Sequence, residues 1–388
     1  MKKNYRILSL LLVLFLMAGI MTGCVKKTDD AQTSGQPTGS GSTTASTTAT
    51  GNLKPGEGSK KIGIIMGGSK DDYGFNYAFA QLADQVQKEL GIEAVIKENV
   101  PTTSDFEGVC EELISQGCKI IFPSQFGYLE YAHNVAQRHP DVAFYSFPIT
   151  DYNGGNFSTI HGNAHEPWYI NGALAAMYSK TGKVGFIGSL PIPDVIVSVD
   201  AFTLGAQSIN PKIQVSAVFT GSWADTGLQT TATNQLLDSG CDVIAPFQDS
   251  VKTVIEICAS RGAHAFGCNA DAYSLDPKTW LSACITDWSG YIPYIKAAID
   301  GKYENVNLSG GFKEHFITNA KYGDTVTPDM VTKLTEIRKK IESGDIYVFQ
   351  GPVYDQSGAV MFKDGYRPTI QEINLVNKLV KGVTGKLN

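Results

Sequence analysis

The feature that most constrains this chain is an alternation that begins, breaks off and begins again. From Lys61 onward, short apolar runs take turns with segments of helical period. Residues 61–66 (KIGIIM) predict a buried strand, 75–90 a helix closed by Gly91, and 93–97 a strand. Residues 104–116 predict a helix, with Ser104 and Glu107 spaced as a capping box. A strand at 119–123, a helix at 128–138 and strands at 142–146 and 157–161 follow. The same grammar then restarts. Helices at 166–179, 194–209, 226–238, 251–261 and 291–300 are interleaved with strands at 183–188, 213–219, 241–246, 264–267 and 280–285. Such alternation builds parallel sheets with helices on both faces. Its two phases predict an α/β chain made of two doubly wound lobes of similar topology. The 388 residues suit this, at a prior of ~150 per domain.

What precedes Lys61 looks like an address and a tether. Lys2, Lys3 and Arg6 form a positive segment, residues 7–21 an apolar run, and small residues lead to Cys24. This is the layout of an export signal, and the run falls short of the ~20 apolar residues of a membrane-spanning helix. Residues 1–23 are therefore expected to be a signal peptide. Met21-Thr22-Gly23-Cys24 resembles a bacterial lipobox, which makes Cys24 the expected lipid attachment point. Residues 24–60 form the expected linker. From Thr28 on they are rich in Ser, Thr, Gly and Ala without apolar period, so they are expected to stay flexible. No other long apolar stretch occurs, and no transmembrane helix is expected in the mature chain. The charge balance of 32 basic against 38 acidic residues, net −6, argues against a nucleic-acid partner.

In open α/β sheets, ligands bind beyond the carboxyl ends of the strands. Aromatic, amide and carboxylate side chains gather there in both halves. Phe75 and Asn76 follow the first strand, Phe126 the third, and Trp223, Asp249, Asp271 and the pair Asp287-Trp288 the later ones. Trp168 lies on the helix that opens the second phase. Aromatic faces sandwich a flat heterocycle at ~1–3 kcal/mol per stacked base. Carboxylates accept from its N–H groups, and amides or hydroxyls meet its ring nitrogens. Plainer roles stay open at the same positions: Asp72, Asp194, Asp249 and Asp271 as caps, Phe75 and Trp168 as packing residues. His161 and His165 are expected to be structural. Phosphate-loop, nucleophile-elbow and metal-binding spacings are absent, so neither an enzyme nor a cofactor or metal site is expected. Cys110, Cys118, Cys241, Cys258, Cys268 and Cys284 form no CxxC pair and are expected as buried thiols, with a disulfide left open.

Several of these stretches together resemble a known family. They are Asp72-Tyr73-Gly74-Phe75-Asn76, Glu98-Asn99-Val100-Pro101, Phe126-Gly127-Tyr128, Pro191-Ile192-Pro193-Asp194-Val195-Ile196, Ala201-Phe202-Thr203-Leu204-Gly205-Ala206, Ser222-Trp223, Gln248-Asp249-Ser250 and Asp287-Trp288. The chain is similar, from about Lys61 to Val353, to the basic membrane protein (BMP) lipoproteins, the substrate-binding components of ABC importers. The resemblance is greatest to the branch that binds free purine bases. The nucleoside-binding branch usually carries a Lys shortly after the strand where this chain has Asp287-Trp288, so its absence points away from ribose. Purine-base members often carry Trp where this chain has Phe75, which can also stack.

The resemblance implies a type I periplasmic-binding-protein fold with a ligand cleft between the lobes. It places residues 61–158 and 287–305 in an N-terminal lobe and 159–286 and 306–388 in a C-terminal lobe, with hinges near 156–161, 286–288 and 305–311. It implies a monomer anchored to the outer face of the cell membrane. That monomer takes up an adenine- or guanine-like base and passes it to an ABC permease with its ATPase. A nucleoside or other small-molecule binder, and a surface lipoprotein that senses a ligand without transport, remain alternatives.

Overall fold

The computed structural model describes residues 54–148 and 152–387. The first lobe opens with β1 (Lys61–Ile65), α1 (Phe75–Leu90), β2 (Glu93–Lys97), α2 (Asp105–Ser115), β3 (Ile120–Pro123), α3 (Leu129–Arg138), β4 (Ala143–Ser146) and β5 (Phe157–Gly162). The second lobe follows with α4 (His165–Tyr178), β6 (Lys183–Gly188), α5 (Pro193–Ile209), β7 (Gln214–Phe219) and α6 (Thr226–Asp238). It continues with β8 (Val243–Pro246), α7 (Lys252–Ser260), β9 (His264–Asn269) and β10 (Trp280–Thr286). The chain returns to the first lobe for α8 (Ile292–Ile299) and β11 (Asn307–Gly310). It ends on the second with β12 (Ile317–Asn319), α9 (Pro328–Glu342), β13 (Val353–Tyr354), β14 (Val360–Phe362), α10 (Ile370–Ile373) and β15 (Val383–Thr384).

Two large sheets result, ordered β11-β5-β4-β3-β1-β2 and β12-β10-β9-β8-β6-β7-β15, beside a small antiparallel pair of β13 and β14. Within the two large sheets all pairings among the described residues are parallel except that of β12 with β10. Helices cover both faces, as parallel sheets require. Along β1, Ile62 and Ile64 pack with Phe79 of α1 and Ile295 of α8. Ile65 turns to the opposite face and packs with Leu113 of α2 and Val135 of α3. That alternation is the two-residue period of a strand whose two faces are both buried. In the second lobe α4 and α5 cross at very short range. A Cβ on Gly172 would lie 1.8 Å from the Phe202 carbonyl oxygen, and one on Gly205 would lie 2.0 Å from that of Tyr169.

The chain passes between the sheets after Gly162, after Thr286 and after Gly310. The first and third passages are laced together. Asn163 N–H donates to the Gly310 carbonyl at 2.7 Å, Phe312 N–H donates to Glu166 Oε2 at 2.8 Å, and Ser309 Oγ donates to Asn163 Oδ1 at 2.5 Å. The first sheet keeps β5 through Gly162 and β11 through Gly310 because Ser309 pairs in register with His161. Sheet membership therefore runs a few residues past positions 158 and 305, and His161 is strand rather than hinge.

Three further expectations change. Ser104 makes no side-chain cap, so Ser104 and Glu107 form no capping box. Asp105 N–H meets Thr103 Oγ1 instead, at 3.4 Å. Residues 54–60, expected to belong to the tether, are docked on the first lobe: Gly56 N–H donates to Asp141 O at 2.9 Å and Gly58 N–H to Ile299 O at 2.9 Å. The segment beyond residue 311, read only as returning to the second lobe, carries four strands and two helices among the described residues. The signal peptide and Cys24 lie outside the described residues. The six cysteines beyond it are all buried and free. Among the described residues no helix is long and apolar enough to cross a membrane.

The crossing of α4 and α5 generates a test. Gly172→Val should lower the stability of the second lobe by ~3 kcal/mol or more, because backbone rather than a movable side chain blocks the new Cβ. A urea melt followed by circular dichroism measures it, and an unchanged midpoint would contradict the packing described.

Candidate functional site

A cavity of ≈ 1150 Å³ lies between the strand ends of the two lobes. Its inner end is defined by how α1 begins. A helix leaves its first N–H groups without internal partners. In α1, Asp72 supplies most of them: Oδ1 accepts from Gly74 N–H at 2.8 Å and Tyr77 N–H at 2.9 Å, and Oδ2 from Asn76 N–H at 3.0 Å. The remaining donor, Phe75 N–H, reaches across the cleft to the Asp249 carbonyl oxygen of the second lobe at 3.0 Å. Gly74 makes that approach sterically feasible, since a Cβ there would sit 1.7 Å from the same oxygen. Asp249 N–H in turn donates to the Trp223 carbonyl at 2.9 Å. The backbone of Asp249 is thus pinned from both sides, and its side chain is left to face the cavity.

The walls are aromatic. Phe75 and Phe147 stand on the first lobe with ring centroids 6.3 Å apart. Trp168, Trp223 and Phe247 stand on the second; Trp223 meets Phe247 edge to face at 6.0 Å and Trp168 lies 6.0 Å from Phe247. Between them are polar groups with no hydrogen-bond partner among the described residues. Trp168 is fully buried and its Nε1–H donates to nothing, and Ser124 Oγ is in the same position. A buried unmatched donor costs ~1–3 kcal/mol, so both hold bonding capacity that a ligand can use. Two carboxylates, Asp249 and Asp194, open onto the cavity: Asp249 is half-buried, whereas Asp194 is exposed. Burial pushes the Asp249 carboxyl up to about 7, and the neighbouring Asp72 carboxylate adds to the rise. Partial desolvation at the cavity wall also raises Asp194, against the opposing pull of His161. At the cavity floor Cys268 and Cys284 sit in register on adjacent strands, and burial holds both thiols far above the thiolate range. They are therefore poor nucleophiles. Among the described residues no His/Cys/Asp/Glu group could hold a metal ion.

Of the residues singled out in the sequence, Phe75, Phe126, Trp168, Trp223 and Asp249 line the cavity. Four do not. Asn76 is buried, donating to Asp72 Oδ2 at 2.7 Å and accepting from Gly68 N–H at 3.2 Å, so it braces the loop before α1. Asp271 folds back on its own turn and accepts from Tyr273 N–H at 2.9 Å. Asp287 caps the short turn after β10, accepting from Ser289 N–H at 3.1 Å, and stands 3.4 Å from His315 Nδ1. Trp288 is core: its Nε1–H donates to the Ala78 carbonyl at 2.8 Å and its ring packs on Phe79 and Tyr291. Asp194 was read as a cap, yet α5 has no side-chain cap, and its carboxylate faces the cavity instead. His161 was read as structural but also lines the cavity, with its Nδ1 3.3 Å from the Phe147 carbonyl. His165 is structural, buried and pushed down to about 4 by burial and by His161. Phe147, Phe247 and Asn269 also line the cavity, and all three follow or end strands, where the strand-end rule points.

Aromatic walls, two carboxylate acceptors and unmatched donors suit capture of a ligand rather than bond breaking. The comparisons with known proteins give the family. The family described as "ABC transporter substrate-binding protein PnrA-like", or Bmp, matches residues 59–357. The chain belongs to this family. A purine-binding protein of Brucella abortus is 34% identical over 342 residues, covering 87% of this chain and 96% of that protein. A putative ABC transporter glucose-binding protein of Haloferax volcanii is 27% identical over 360 residues, 92% of this chain and 88% of that one. Among solved structures, an ABC transporter solute-binding protein of Conexibacter woesei superposes with a TM-score of 0.65 at 20% identity, over 74% of this chain and 97% of its own. That likeness shows the two-lobed solute-binding fold. As a Bmp-family chain this is an ABC transporter substrate-binding protein, of a class that is extracytoplasmic and carries its ligand without converting it.

The contact between the lobes and the idle indole each generate a test. Gly74→Val should leave both lobes folded but keep them apart, weakening ligand binding about tenfold or more, since closure completes the pocket. Small-angle scattering with and without ligand would show it, and unchanged compaction and affinity would count against the contact. Trp168→Phe keeps an aromatic ring but removes the unmatched donor together with part of the buried indole. Ligand affinity should fall by ~1 kcal/mol or more, and thermal melting of the empty protein reports the separate cost of the void; unchanged affinity would mean Trp168 matters only for packing.

Proposed function

We propose that this chain captures a purine base and delivers it to an ABC permease and its ATPase, held at the outer face of the membrane through lipidated Cys24. The base lies between Phe75 and Trp223, with Phe147, Phe247 and Trp168 closing the walls. Asp249 and Asp194 accept hydrogen bonds from its ring and amine N–H groups, and Trp168 Nε1–H donates to an acceptor on the ring. The observation that carries this reading is the convergence of the half-buried Asp249 carboxyl, a second carboxylate at Asp194 and an unmatched indole N–H on one aromatic-walled cavity. Sugars lack a flat π face to fill such walls, whereas a purine offers a π face, donors and acceptors at once. The purine-binding relative from Brucella abortus supports the same class of ligand.

Charge gives the reading a sign. In the empty protein the Asp249 carboxyl titrates near 7. A ligand N–H favours the ionised form, so a proton on Asp249 opposes binding. Affinity should therefore hold above pH 8 and fall below about 7, by up to about tenfold per pH unit for one proton displaced. Calorimetry with adenine, guanine, hypoxanthine and xanthine at pH 6 and 8 tests both points. Asp249→Ala should weaken binding by ~2–5 kcal/mol, and Asp249→Asn should flatten the component of the pH profile near 7. Binding of a sugar or a nucleoside with no response to any free base would overturn the assignment.

A further inference from the structure

The cavity is larger than a bare base needs, and its surplus has a definite character. At ≈ 1150 Å³ it exceeds the ~300–1,000 Å³ typical of small-molecule pockets. The lobes already meet at the inner end, where Phe75 N–H bonds to the Asp249 carbonyl with no room for a Cβ at Gly74. The outer part is lined by Phe126 of the first lobe and by Ile192, Ile370 and Leu375 of the second. Phe126 and Leu375 are 73% and 74% exposed, more than any other large apolar side chain among the described residues. Leaving two such groups bare at one cavity mouth is unfavourable in water, and a ligand that covers them recovers the cost.

One wall of this outer part is built by a segment outside the stretch that matches the family. The match ends at residue 357, while Ile370 and Leu375 lie in and just after α10. That segment is fixed to α5. Val380 N–H donates to the buried Asp200 Oδ1 at 2.8 Å, and Gln207 Nε2 donates to the Lys381 carbonyl at 2.9 Å. The side chain of Ile373 faces the core of the second lobe. The wall is thus a built part of the lobe.

We infer that the outer part of the cavity is a second subsite, formed by Phe126, Ile192, Ile370 and Leu375, that takes an apolar substituent carried on the purine. The inference rests on the base-binding reading above and names its substrate class: an alkyl- or aryl-substituted purine in preference to the bare base or the nucleoside. The apolar group lies against Phe126 and Leu375, while the ring stays at Asp249 and Trp168.

Calorimetry on the full chain tests it with adenine, adenosine and three adenines carrying a benzyl group at N6, C8 or N9. At least one benzyl compound should bind about tenfold tighter than adenine, the scale expected for burying one apolar group. Ile192→Ala and Leu375→Ala should each remove a several-fold part of that gain and leave adenine within about twofold. Both positions are exposed, and unchanged thermal melting confirms that the variants fold. The inference is overturned if no benzyl compound binds tighter than adenine, if adenosine gains as much, or if the variants weaken adenine equally. Adenine binding with no benzyl gain sinks the subsite alone. Failure of every purine sinks the base reading and the subsite with it.

Discussion

One hydrogen bond organises this molecule: the donation from Phe75 N–H at the start of α1 to the carbonyl of Asp249 on the other lobe. A helix start has donors to spare, and its partial positive charge favours an oxygen placed there. Asp72 takes three of the first four backbone donors and leaves the fourth for the second lobe. The joint therefore exists only when the lobes are together. It sets Phe75 at the inner wall of the cavity and holds the Asp249 backbone so that its carboxylate faces inward.

From that joint the electrostatics follow. Closing protein around Asp249 removes water from its carboxylate without giving it a partner among the described residues, and it responds by holding its proton more tightly, while Asp194 stays exposed at the cavity wall. Trp168 is the complementary case, a donor sealed away with nothing to donate to. Such groups cost stability while the cavity is empty. A planar molecule with N–H and ring-nitrogen edges relieves all of them together, which is how a binding site is favoured over a merely well-packed interior. The thiols of Cys268 and Cys284 below it, kept protonated by burial, add polarizable apolar floor and little reactivity.

Much of this was legible in the sequence where period and strand ends decide the outcome. The helix at Phe75–Leu90 and the strand at Glu93–Lys97 fall where the apolar pattern placed them. Phe75, Trp223 and Asp249 reach the cavity because they follow parallel strands. The same rule misled at Asp287 and Trp288. The chain leaves β10 for the other lobe there, and Trp288 is drawn into the core around Phe79, a tertiary event with no local signal. Asp271 and Asn76 are short polar side chains beside free backbone or carboxylate partners, and local hydrogen bonds claimed them first. Asp194 went the other way: its position suggested a cap, but α5 opens with Pro193 and the cavity claimed the carboxylate. The helix at Pro328–Glu342 did carry a readable start, Thr327 as cap with Pro in the first turn, whereas β15 is held by β7, a partner far away in sequence.

The most direct test is a crystal structure of the protein with adenine bound. The account predicts the ring between Phe75 and Trp223, Asp249 within hydrogen-bond distance of a ring or amine N–H, and Trp168 Nε1 within reach of an acceptor on the base. An adenine lodged anywhere else, or one in the cavity that leaves both the Asp249 carboxylate and the Trp168 N–H without a partner, would contradict it.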